Sequence, residues 1–149
     1  MRYHRLTVAL ATRVRPPCEP FGPGLKVLTP GRVRYPDASV VCADPVNDGE
    51  SIEPTVVFEV LSPSTALTDR RVKALECGSV PGIMAYVILE AEQPEIAVRG
   101  RATGWEAETI AGFGAELVLP GIGVAIPLSE VCLYAVTRCS PEPALTPDF

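Results

Sequence analysis

The sequence predicts one α/β domain built on a mixed β-sheet, and three observations carry the prediction. Two continuous apolar runs, TVVFEVL at 55–61 and IMAYVIL at 83–89, have the length and β-branched content of strands covered on both faces. One helix-compatible stretch lies between them, so the pair reads as a βαβ crossover with parallel strands. Further on, 95–101 and 104–111 alternate apolar and polar residues about a tight connection, as a hairpin does. At 149 residues and 47% hydrophobic, the chain can bury one core, and no apolar run is long enough to span a membrane. The domain is expected to occupy 1–138, with a proline-rich tail at 139–149.

In chain order, Leu6, Ala9, Leu10 and Val14 fall at helical spacing and Pro16-Pro17 forbids continuation, which predicts an amphipathic helix over 3–14. His4 at its start reads as a surface or capping residue. A Pro/Gly-rich connection at 18–24 follows, then a short strand at 25–29, a turn at Pro30-Gly31, and a second strand over 32–42. The acidic stretch 44–54 reads as a solvated loop. After the central strand at 55–61, a helix is expected to start near Thr68, with Asp69 in its first turn and Gly78 just past its end. The hairpin at 95–111 carries Trp105. Runs at 116–119 and 124–126 flank a Pro-Gly-Ile-Gly turn, a C-terminal hairpin, and 127–136 can form a closing helix.

The formal charge is −5, but residues 1–41 hold seven basic residues against two acidic. An acidic total argues against non-specific binding of bulk nucleic acid and leaves room for a locally basic groove. Five cysteines with no CxxC spacing argue against a zinc site or a disulfide framework and for reduced thiols in the cytoplasm. Arg13 and Arg15 cut short the apolar stretch near the N-terminus, so no signal peptide is expected.

The residue that most needs a reason is Glu59. An ionised carboxylate inside an apolar strand costs several kcal/mol unless a cation or donors meet it. Asp37, on the preceding predicted strand, can point to the same sheet end. Lys73 lies on the following helix, four residues after Asp69 and so on one face with it. Two carboxylates with an ammonium nearby suit Mg²⁺-dependent phosphodiester hydrolysis, in which oxygen ligands hold a hard cation and the lysine orients water or stabilises phosphate charge. The main-chain carbonyl of Val60 can add an oxygen. Plainer readings stand beside this one: Asp37 as a turn former after Pro36, Asp69 and Lys73 as an ordinary helix pair, Arg70 and Arg71 as a solvated face. There is no P-loop, G-x-S-x-G or H-E-x-x-H, and the single histidine, His4, leaves Ser62 and Cys42 without a partner base.

YPDASVVC at 35–42, FEVLSPST at 58–65 and DRRVK at 69–73 resemble the Uma-type putative restriction endonuclease family, known mainly from cyanobacteria and other bacteria. The resemblance extends through 81–90, Gly104-Trp105-Glu106 and 119–130. It implies a restriction-endonuclease-like core of the PD-(D/E)XK type, a mixed sheet flanked by helices. It also implies cleavage of DNA with Mg²⁺ or Mn²⁺. Carried over, Asp37 and Glu59 become the metal-holding acids, joined by the Val60 carbonyl, and Lys73 stands in for the lysine that Leu61 replaces. Cys77 stands where an aromatic residue is usual. Family members carry an additional segment with a glutamate before the first helix, so the resemblance leaves a core strand and one acid to come from elsewhere. An exposed sheet edge would then favour a homodimer. The rival expectations are an inactive binding or assembly module with the same scaffold, and a structural homodimer with no nucleic-acid role.

Overall fold

The computed structural model describes residues 4–29, 31–42, 53–61, 67–90, 95–112 and 114–131, with the main chain alone at 4, 32, 61 and 67–72. Helix α1 (His4–Arg13) leads into β1 (Glu19–Phe21), a ribbon of β2 (Val27–Thr29) and β3 (Arg32–Arg34), then β4 (Ala38–Val41) and β5 (Val56–Leu61). Helix α2 (Leu67–Gly78) connects to β6 (Ala85–Glu90), followed by β7 (Glu95–Gly100), β8 (Ala107–Ala111), β9 (Glu116–Leu119), β10 (Val124–Pro127) and α3 (Leu128–Val131). The continuation of α3 and the proposed tail lie outside the described residues.

A six-stranded sheet in the order β1-β4-β5-β6-β7-β8 forms the middle layer. Strands β5 and β6 pair in parallel through the α2 crossover, as the two apolar runs predict, and every other pairing within the sheet is antiparallel. Both central strands are apolar on each face because each face is covered. Alternation along β5 sends Val56, Phe58 and Val60 toward α1 and the β9–β10 hairpin, where they meet Leu6, Leu10, Leu117 and Ile126. Val57 faces the other way, into a cluster with Val27 of the ribbon, Ala74 and Cys77 of α2, and Tyr86 and Ile88 of β6. The apolar positions of α1 are buried as the helical spacing predicts.

Three sequence expectations need correction. The predicted strand over 32–42 is two elements. Residues 32–34 pair with β2 outside the main sheet, whereas 38–41 enter the sheet beside β5. Pro36 has no N–H to give a ladder, so the chain bends at 35–37 and changes partner. The connection at 18–24 contains β1, a three-residue edge strand whose Pro20 is tolerated because it is on the edge. Finally, Cys18 and Cys42 form a disulfide across 24 residues. The β1–β4 register pairs Glu19 with Val41, and one further step sets Cys18 opposite Cys42. An odd cysteine count carries no information about a pair that antiparallel pairing brings face to face.

Candidate active site

Asp37 and Glu59 come from neighbouring antiparallel strands. The β4–β5 register pairs Ala38 with Phe58 and Ser39 with Val57, so its next step sets Asp37 opposite Glu59 at the end of the sheet. Both are two residues from a position on the α2 side, Ser39 and Val57, and so project on that side. Asp37 is anchored: its Oδ2 accepts a hydrogen bond of 2.7 Å from the Val60 N–H. The bend that ends the ribbon at Pro36 therefore also delivers the carboxylate to β5. Glu59 is half-buried, at the rim of the core rather than inside it, which answers the desolvation problem its apolar strand poses. Of Val60, the structure brings the N–H into the site, through Asp37.

The α2 crossover brings its own charges. Lys73 and Cys77 are one turn apart on the same helical face, and Cys77 is only 5% exposed. Its thiol is pushed up to about 12, first by burial and then by the carboxylates of Glu59 and Glu76, against the opposing pull of Arg34 and Lys73. The groups that act on this one sulfur thus come from β5, α2 and the ribbon. Arg34 also grips Glu76 directly, with Nε at 2.7 Å and Nη2 at 2.6 Å from the same oxygen, Oε1. Ser39, fully buried on the α2 side of β4, has no hydrogen-bond partner for its hydroxyl among the described residues.

The structure places Asp37, Glu59 and Val60 together and sets Lys73 on the helix face that shares Cys77 with Glu59. The Asp69 side chain lies outside the described residues. Sequence reasoning missed Arg34, Glu76 and Cys77 as one electrostatic unit. The spacing of Lys73 and Cys77, four apart on one helix, was the available signal. Among the described residues no group of three or more His, Cys, Asp or Glu side chains is placed to hold a metal. The oxygen donors at hand are the two carboxylates. That set suits a hard cation such as Mg²⁺, which keeps most of its waters and needs one or two carboxylates.

Three layers, a mixed sheet whose central strands run parallel, and an acid pair where β4 leaves the bend define the nuclease-like α/β class. A solved structure described as a putative nuclease belonging to DUF820 from Anabaena variabilis has the same fold. It superposes with a TM-score of 0.71 at 16% identity, over 91% of this chain and 78% of that one. The chain belongs to the Uma2 family, described as putative restriction endonuclease, whose sequence profile matches residues 3–129. No match is found among the curated proteins.

Proposed function

We propose that the protein is an endonuclease that hydrolyses DNA phosphodiester bonds with Mg²⁺, and that Asp37, Glu59 and Lys73 carry the reaction. The observation that carries this reading is the placement of Asp37 directly opposite Glu59 at one sheet end, with Asp37 fixed by the Val60 N–H. Asp37 and Glu59, with the Val60 carbonyl, are the residues that would hold the cation. When bound, Mg²⁺ supplies Lewis-acid polarisation of the phosphate and a lowered pKa for a nearby water. The overall step is attack of water on phosphorus and loss of the sugar oxygen, with the water's second proton ending on the leaving group or solvent. Lys73 is assigned to donate hydrogen bonds to the phosphate oxygens as charge builds on them. The hydrogen bond to Val60 keeps the Asp37 carboxylate aimed without a conformational search, the positional precision such sites require.

A second reading, the same scaffold without turnover, is favoured by one observation: the described residues offer two carboxylates rather than three or more. Calorimetric titration of Mg²⁺ and Mn²⁺ into the protein beside Glu59→Ala separates the two. Saturable binding that the variant loses, together with cleavage of plasmid DNA that it also loses, supports the endonuclease. Binding with no cleavage supports the scaffold, and cleavage undiminished in Glu59→Ala would overturn both assignments of that residue.

A further inference from the structure

The β2–β3 ribbon lies outside the main sheet and exposes an apolar face. Leu28 is 52% and Val33 48% exposed, and the register pairs them directly across the ribbon. Tyr35, two residues on from Val33, is 62% exposed. Between them Arg34 turns inward to Glu76, and Val27 packs beneath the ribbon against α2, so inner and outer faces are distinct. Core packing has no use for the outer face. Residues 25–36 hold Lys26, Arg32 and Arg34 and not one carboxylate, in a chain of net charge −5. The segment ends immediately before Asp37.

We propose that this ribbon docks the protein on duplex DNA, its outer face of Leu28, Val33 and Tyr35 entering the major groove. The inference rests on the endonuclease reading, because the polyanion it names is that enzyme's substrate. Three considerations select this occupant. The cation-only composition calls for an anionic partner, and two copies of the ribbon meeting face to face would bring like charges together. A two-stranded ribbon is one of the shapes the major groove admits, and exposed apolar side chains there meet thymine methyl groups. The ribbon adjoins Asp37, so a duplex seated on it passes beside the acid pair.

The test is fluorescence anisotropy with a fluorescein-labelled duplex at low salt in EDTA, so that binding is read without cleavage. The proteins are the wild type, Tyr35→Ala, the double variant Leu28→Thr/Val33→Thr, and Glu59→Ala. Threonine keeps strand propensity at exposed sites, and a thermal melt of each variant confirms the fold. The expected result is a loss of about tenfold or more in affinity for both ribbon variants, with Glu59→Ala binding as the wild type does. Wild-type binding that the ribbon variants retain overturns the docking inference and leaves the endonuclease reading standing. Ribbon-dependent binding by a wild type that cleaves nothing in Mg²⁺ keeps the docking face and sinks the endonuclease. Loss of a dimer by the ribbon variants in size-exclusion chromatography with light scattering, with DNA affinity unchanged, assigns the face to a second copy and overturns the proposal. A wild type with no affinity for the duplex overturns both readings.

Discussion

Asp37 and Glu59 sit opposite one another, yet their side chains do different structural work, and that difference is measurable. Asp37 accepts a part-buried, charge-assisted bond from the Val60 N–H. Deleting that carboxylate leaves a main-chain donor short of a partner, which costs about 1–2 kcal/mol. Asp37→Ala is therefore expected to be less stable in urea unfolding than Glu59→Ala, while both lower cleavage by about a hundredfold or more. Equal stability of the two variants would remove the anchoring role. Cys77 offers a second test at this scale. Its thiol titrates at about 12 in the folded protein against 9.0 for an ordinary cysteine, so the native state holds its proton across that interval and the unfolded state does not. Stability from this group is complete below about pH 9 and falls as pH rises toward 12. Cys77→Ala is expected to flatten that decline in melts recorded across the alkaline range, and iodoacetamide at neutral pH should alkylate Cys77 only on unfolding. Rapid labelling of the native protein would contradict the burial.

Between elements, the Arg34–Glu76 pair is what ties the ribbon to α2. Side-chain exposures of 23% and 17% put it between a solvated surface pair and a buried one. A double-mutant cycle with Arg34→Met and Glu76→Gln is expected to give a coupling of about 1 kcal/mol, and a value near zero would mean the apolar contact of Val27 alone seats the ribbon. The same elements show what a sequence can and cannot disclose. The parallel β5–β6 pair was legible because two continuous apolar runs flanking one helix leave few other arrangements. The α1 face was legible because Leu6, Ala9, Leu10 and Val14 obey one helical period. The Asp37–Glu59 juxtaposition was legible as a possibility of adjacent strands, and the register supplies it. The split between β3 and β4 was not, since alternating residues on both sides of Pro36 read as one strand until the partner strands are known. Nor was the convergence of Arg34, Glu76, Lys73 and Glu59 on Cys77, which depends on which face of α2 docks on the sheet. Arg101 is a further contact of this non-local kind. Its Nη2 meets the carbonyls of Val80 at 2.9 Å and Ile83 at 2.7 Å, and its guanidinium lies over Trp105 at 5.3 Å, tying the β7–β8 connection to the segment after α2.

At the scale of the molecule, the edge strand β1 is the weakest part of the sheet by its own contacts. It has three residues, one of them Pro20, and pairs with β4 on one side only. Ladder hydrogen bonds from so short a strand cannot outweigh the entropy of ordering the chain between α1 and the ribbon. Two other connections hold it: the packing of Leu10 and Val14 of α1 under β4 and β5, and the Cys18–Cys42 bridge. The bridge closes a loop with a sequence separation of 24, for which the chain-entropy relation gives about 3 kcal/mol. β4 ends at that bridge and begins just after Asp37, so fraying of β1 reaches the acid pair through a single four-residue strand. Reduction is therefore expected to lower stability by about 3 kcal/mol in urea and the melting temperature by several degrees. Amide exchange should accelerate in β1 first and then in β4, with β5 and β6 protected as before. A Cys18→Ala/Cys42→Ala variant should match the reduced wild type and respond no further to reductant. If reductant leaves melting and exchange unchanged while peptide mapping still recovers Cys18 joined to Cys42 from untreated protein, the bridge is a passenger, and α1 alone holds the edge of the sheet.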